Sequence, residues 1–320
     1  MGVELSRIKM IESRVSASGM RIAVVGAGAV GLYYGGRLAA IGEDIHFLVR
    51  SDYDALTEHG LTCESIHGDF QLPSPKVYRE ASEIGPVDLV IITWKATANE
   101  HLKSVLPPLL HDGTRVLTLQ NGLGNCEDIA ELIGPGRVIG GLCFVCINRH
   151  EPGRIVHSAG GKVSIGSWRP ESAFQSIAIT KLMRAAEIKA HHVEHLEAAQ
   201  WEKLIWNVPF NGLSVAEGGV TTDVLLANPQ KVDEIRALMN EIIAAAHALG
   251  HSLNRALVED NIERTRPMGA YRTSSMIDFV EGRVLEIGPI WEEPLKRATA
   301  AGVPMPNLKA LLERIYKRIS

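Results

Sequence analysis

The run RIAVVGAGAVG at residues 21–31 constrains this chain more than any other segment. Apolar, mostly β-branched residues at 22–25 predict a buried parallel strand, and Gly26, Gly28 and Gly31 follow at GxGxxG spacing. Residues 32–40 then read as a helix and 44–49 as a second strand at βαβ distance. This order describes a dinucleotide-binding turn. Gly26 permits the tight turn, Gly28 lets the backbone approach a pyrophosphate with no Cβ in the way, and Gly31 packs the helix on the strand. The N–H groups of Ala29, Val30 and Gly31, at the start of that helix, have no intrahelical acceptor and face the phosphates. Glycine-rich turns also arise where a strand merely meets a helix, but the second strand in place weighs against that plainer reading.

The residue that follows the second strand selects the dinucleotide. An acidic side chain there accepts from the ribose 2′-hydroxyl of NAD, whereas a basic one receives the 2′-phosphate of NADP. The chain reads FLVRSD, with Arg50 and Ser51 at the strand end, which favours NADP (NADPH); Asp52 is the counter-argument for NAD, and a merely solvent-facing Arg50 is the plain alternative. Two more polar side chains stand where open α/β sheets bind ligands, beyond the carboxyl ends of strands. Lys95 closes the apolar run VDLVIITWK, and Asn121 lies in the loop after RVLTLQ. Either could also be an ordinary loop residue.

With 320 residues the chain can bury two cores. Strand-like and helix-like segments alternate from Met20 onward, the pattern of a doubly wound α/β Rossmann-type sheet, with residues 151–170 expected as antiparallel strands closing it. After residue 193 long helical patterns take over. The expected division is a loose arm at 1–19, a dinucleotide-binding domain at 20–193 and an all-helical domain at 194–320. A net charge of −4 offers no basic face for nucleic acid or anionic lipid, and the apolar runs are too short to span a bilayer. Cys63, Cys126, Cys143 and Cys146 read as reduced thiols of a cytoplasmic protein. Cys143 and Cys146 form a CxxC, but on a strand they would point to opposite faces, so neither a redox pair nor a metal half-site is expected, and no metal is called for by the scattered histidines.

The helical half holds one sharp feature, WEKLIWNVPFNGL at 201–213, in which Lys203, Asn207 and Asn211 recur at four-residue spacing. On a helix they share a face, while the rest of the segment is apolar enough to be buried. Buried amine and amide groups need partners, and a polar ligand would supply them. The plainer reading is a lysine reaching solvent beside two capping asparagines. Pro209 is expected to bend this helix and free the carbonyl of Ile205.

Taken together, GAGAVG, Lys95, QNG at 120–122, KLxxNxxxN at 203–211 and SSMIDFVEGRVLEI at 274–287 make the chain resemble the ketopantoate reductases (2-dehydropantoate 2-reductases), within the 6-phosphogluconate-dehydrogenase-like group. The resemblance runs from about Met20 to the C-terminus. It implies a Rossmann domain followed by a helical domain, NADPH as cofactor, and reduction of a small 2-keto acid in the cleft between them. By the same resemblance Lys203 is the general acid and Glu286 the carboxylate at the substrate hydroxyl. Asn121, Asn207 and Asn211 are polar substrate contacts, with Asn121 and Lys95 also expected at the cofactor. The family's substrate-binding serine precedes an aspartate by four residues and the glutamate by twelve, which selects Ser274 over Ser275. Downstream the chain departs from the family pattern: EIGPIWEEP at 286–294 puts Trp291 and Glu292 where an Asn-Gly pair is usual, so ketopantoate, the substrate that the resemblance implies, has a neighbouring 2-keto acid as its alternative. Rival readings are another 2- or 3-hydroxyacid dehydrogenase on the same architecture and a non-catalytic dinucleotide sensor. In the sensor Lys203 and Glu286 would have no reason to coexist. The apolar helical half makes a homodimer the expected assembly.

Overall fold

A computed structural model describes residues 19–320, so the expected arm lies outside the described residues apart from Gly19. The chain divides into two compact units. The first holds the residues up to Gln120 together with Cys126–Glu194; the second holds Asn121–Asn125 and His195–Ser320. The adjacent residues Gln120 and Asn121 thus belong to different units.

The first unit is built on one ten-stranded sheet: β1 (Arg21–Val25), β2 (Asp44–Leu48), β3 (Leu61–Ser65), β4 (Phe70–Leu72), β5 (Lys76–Tyr78), β6 (Leu89–Ile92), β7 (Arg115–Thr118), β8 (Val138–Glu151), β9 (Arg154–Ser167) and β10 (Ala190–His192). Its order is β4-β3-β9-β8-β7-β6-β1-β2-β5, with β10 paired to β9. Strand β1 pairs in parallel with β2 on one side and with β6 on the other. The winding direction therefore reverses at β1, and the crevice beyond the carboxyl ends of β1 and β6 is the topological switch point at which such sheets take ligands. The helix Ala29–Ala40 lies on β1 and β2 and buries Leu32, Tyr33, Tyr34 and Leu38 against Val24 and Phe47.

Some boundaries differ from the sequence expectation for definable reasons. The apolar run through Lys95 stops being a strand at Ile92, because Lys95 caps a short 3₁₀ turn, Ala96–His101. Antiparallel pairing begins well before residue 151: β8 and β9 are each 14 residues long and run side by side. A register shift between Phe144 and Val145 falls between Cys143 and Cys146, so simple alternation does not set their faces. All four cysteines are free thiols. Among the described residues no cluster of His, Cys, Asp or Glu could hold a metal ion, and no helix is long and apolar enough to cross a membrane.

Apart from the loop 121–125, the second unit is helical. The 21-residue helix Leu196–Ala216 is its axis, packed by Pro229–Ala248, Ser274–Val280 and Pro306–Ile319. Trp201, Leu204, Phe210, Ile235, Met239, Trp291, Leu308 and Leu311 fill the core between them. Burial of this apolar face, rather than local propensity, carries a helix through an internal proline. The helix accordingly continues past Pro209 to Ala216. Glu241, itself buried, accepts from the N–H groups of Asn307 and Leu308 and so caps the C-terminal helix from a neighbouring one.

Candidate active site

In the first unit the site grows from the turn after β1. Gly26 has φ +95°, a conformation that a side chain would strain, and a Cβ there would overlap the backbone of Trp94. Nothing stands within 4 Å of the place a Cβ would take on Gly28, so its backbone faces open space. The helix that starts at Ala29 carries no acidic residue in its first turn and no side-chain cap. Its first N–H groups, including those of Ala29, Val30 and Gly31, therefore present uncompensated partial positive charge, which suits an anionic pyrophosphate. These residues fit a dinucleotide on the structure's own terms.

The neighbouring loop is tied to this turn. Thr93 N donates to Val25 O (2.9 Å) and Thr93 Oγ1 to Gly26 O (2.6 Å). Trp94 and the half-buried Lys95 follow directly. Asn99 then fixes the loop, its Oδ1 accepting from Trp94 Nε1 (3.2 Å) and from Gln120 Nε2 (2.7 Å) while its Nδ2 donates to Asp128 (2.8 Å). Thr93, Trp94 and Asn99 were not singled out from sequence, because only the pairing of β1 with β6 brings them to the glycine turn. At the end of β2, Leu48 O receives the N–H groups of Gly26 and Ala27, and Arg50 follows, exposed. Asp52 is buried and pairs with Arg149, whose Nη1 lies 2.5 Å from its Oδ1.

In the second unit the helix Leu196–Ala216 carries Lys203, Asn207 and Asn211 on one face, as the spacing predicts. Lys203 Nζ donates to Asn121 Oδ1 at 2.8 Å, so two residues 82 apart in sequence form one polar pair. The loop holding Asn121 is seated by Gly122, whose φ is +80° and whose missing side chain lets the backbone touch Pro289; Leu123 N donates to Pro289 O at 2.9 Å. Pro289 belongs to the π-type turn Gly288–Glu292, and Glu286, buried, stands two residues before that turn. The segment bearing Glu286 and the loop bearing Asn121 are therefore joined through one backbone hydrogen bond.

Farther along the same helix, Asn211 is 1% exposed, and its Oδ1 accepts from Ser275 N (3.0 Å) and Ser274 Oγ (3.3 Å). This fixes the amide and turns its Nδ2 away from both serines. Ser274 is exposed and Ser275 buried. Trp291 does not act as its replacement of a small residue suggested. It is fully buried in the helical core, and its Nε1 donates to Val208 O (3.0 Å) across the open edge left by Gly212. The carbonyl of Val208, next to Pro209, thus takes a donor from outside the helix. Glu292 is exposed and accepts from the Tyr316 hydroxyl.

The sequence matches the family description Ketopantoate reductase PanE/ApbA over residues 22–170 and its C-terminal counterpart, Ketopantoate reductase PanE/ApbA C terminal, over residues 195–318. The chain belongs to the ketopantoate reductase family. It is 36% identical to a 2-dehydropantoate 2-reductase of a Nostoc species over 302 residues, covering 92% of this chain and 94% of that one. Among solved structures it is similar to the 2-dehydropantoate 2-reductase of Geobacter metallireducens, with 42% identity, a TM-score of 0.90, and coverage of 93% of this chain and 99% of the other. D-mandelate dehydrogenase, solved with NADH and anilino(oxo)acetate, shares the fold at 21% identity and a TM-score of 0.85, covering 94% and 98% of the two chains. Membership of the family makes the chain an oxidoreductase with a Rossmann-type sheet domain and a helical C-terminal domain.

Proposed function

We propose that this chain reduces ketopantoate, a branched 2-keto acid, to pantoate with NADPH, and that Lys203 is the general acid. The observation that carries the reading is the Lys203–Asn121 hydrogen bond, on a helix face that also bears Asn207 and Asn211. A lysine on a mostly buried helix calls for polar partners and a purpose; Asn121 is one such partner and orients the ammonium. Bound at the glycine turn, the dinucleotide would supply the hydride that adds to the keto carbon. The alkoxide that this addition creates needs a proton at its oxygen, and Lys203 Nζ delivers it, to be reprotonated from solvent. Asn121 holds Nζ in one direction through Oδ1. Asn207, the Nδ2 group of Asn211 and the Ser274 hydroxyl bind the carboxylate and carbonyl, and Glu286 accepts from the substrate hydroxyl. Arg50 receives the ribose 2′-phosphate and Lys95 contributes a second cation at the cofactor. The burial of Asp52 against Arg149 supports NADPH over NADH.

The reading is tested by following NADPH oxidation with a panel of 2-keto acids. The highest kcat/KM is expected with ketopantoate. A clear preference for an unbranched or aromatic keto acid would keep the reductase and discard the substrate, because one methylene in an apolar pocket is worth only about 1–3 kcal/mol. Tight NADPH binding with no turnover of any member would leave a dinucleotide-binding protein in place of an enzyme.

A further inference from the structure

The carboxylate best placed to accept from a ribose 2′-hydroxyl is Asp52, two residues beyond Arg50, and it is already engaged. It is 1% exposed. Its Oδ1 accepts from Arg149 Nη1 (2.5 Å) and from Ser51 Oγ (2.7 Å), and its Oδ2 from the N–H of Gly153 (3.4 Å). Arg149 Nη1 also donates to Ser51 Oγ at 3.1 Å, closing a three-membered ring of polar contacts. Arg149 comes from the far end of β8, and Gly153 from the turn between β8 and β9, so the tip of this hairpin is fastened to the residues that follow β2. For Asp52 to serve a ribose hydroxyl it would have to leave an arginine within a buried site, and a carboxylate stripped of its partner there is strongly disfavoured. Arg149 itself remains 43% exposed at its side chain.

We propose that Arg149 is a positioning residue for dinucleotide choice: it withdraws and neutralises the Asp52 carboxylate, so that Arg50 alone sets the charge met by the ribose and a 2′-phosphate is favoured over a 2′-hydroxyl. The inference rests on the NADPH reading above. It adds a residue that the glycine-turn pattern does not contain, and it explains why an aspartate at the end of the second strand does not make this an NAD site.

The test is fluorescence titration of the purified protein with NADPH and with NADH, a binding readout independent of turnover. The wild type is expected to bind NADPH more tightly. Arg149→Met leaves the Asp52 charge uncompensated beside the 2′-phosphate and should weaken NADPH by about three- to tenfold at low salt, the effect shrinking as salt is added, with NADH changed by less than about twofold. Arg149→Lys keeps the charge and should keep most of the preference. The double variant Asp52→Asn with Arg149→Met removes both charges and should recover NADPH binding. A parallel loss for both dinucleotides, or no recovery in the double variant, would overturn the inference, since Arg149 would then be a structural tie or a direct ligand. A wild type with no preference would instead overturn the NADPH reading, and this inference with it. Should Arg149→Met fail to fold, Asp52→Asn alone decides: NADH binding is expected to persist, and its loss would make Asp52 the ribose partner and overturn the proposal.

Discussion

At the scale of single residues the chemistry concentrates on Lys203. Its ammonium donates to Asn121 Oδ1 at 2.8 Å, a geometry that gives the proton donor a fixed direction. Lys203→Ala should lower kcat by roughly 10²–10⁴-fold, the range typical of a lost general acid, while NADPH titrates almost as in the wild type. A folded variant with near wild-type turnover would remove Lys203 from the mechanism. Glu286→Gln distinguishes two roles for the buried carboxylate. If Glu286 only binds the substrate hydroxyl, KM rises and kcat holds; a fall in kcat and kcat/KM together would mean that its interaction strengthens in the transition state. Steady-state kinetics with ketopantoate separates the two.

At the scale of elements, the loop 121–125 is the piece on which the polar pair depends. It follows β7, which ends at Thr118, yet its contacts belong to the helical unit, because Gly122 presses against Pro289 and Leu123 N bonds to Pro289 O. A side chain at Gly122 would meet both a left-handed backbone conformation and a backbone contact. Gly122→Ala is therefore expected to cost about 1–3 kcal/mol of stability, read as a lower Tm, and to reduce kcat by moving Asn121 off Lys203. Unchanged melting and kinetics would show that the loop has room to shift. The π-type turn that receives this loop also explains Trp291. A large indole replaces a small residue of the family pattern, but it enters the core behind the helix Leu196–Ala216 and satisfies Val208 O.

On the scale of the whole molecule, what the sequence disclosed divides by contact range. The glycine turn, the first βαβ unit and the row Lys203, Asn207, Asn211 were legible because each is a local pattern with a fixed period. The Lys203–Asn121 bond, the seat of Gly122 on Pro289 and the Arg149–Asp52 pair, 97 residues apart, were not, since they depend on how distant segments pack. The length of β8 and β9 was hidden for a related reason: their bulges interrupt the alternation by which strands are recognised. Two histidines set inside the sheet unit give the molecule a pH dependence that no local pattern announces. His157 is almost completely buried, with Nδ1 2.9 Å from Ser65 Oγ, Nε2 3.1 Å from Ala159 O, and its ring against Tyr33 and His67. Burial first, and then the neighbouring His67, hold its pKa below the ordinary value; burial does the same to His46, against the opposing pull of Asp44. A histidine whose folded pKa is depressed favours the fold while neutral. Its contribution is fully present above the unfolded pKa of about 6.5 and is lost as pH falls below that value toward the folded pKa. Thermal melts should therefore show a Tm that is level from pH 8 to about 7 and declines below about 6.5. His157→Gln, which cannot take up the proton, should melt lower at pH 8 but lose less between pH 7 and 5.5. An equal slope in the variant and the wild type would exclude His157 as a source of the acid sensitivity.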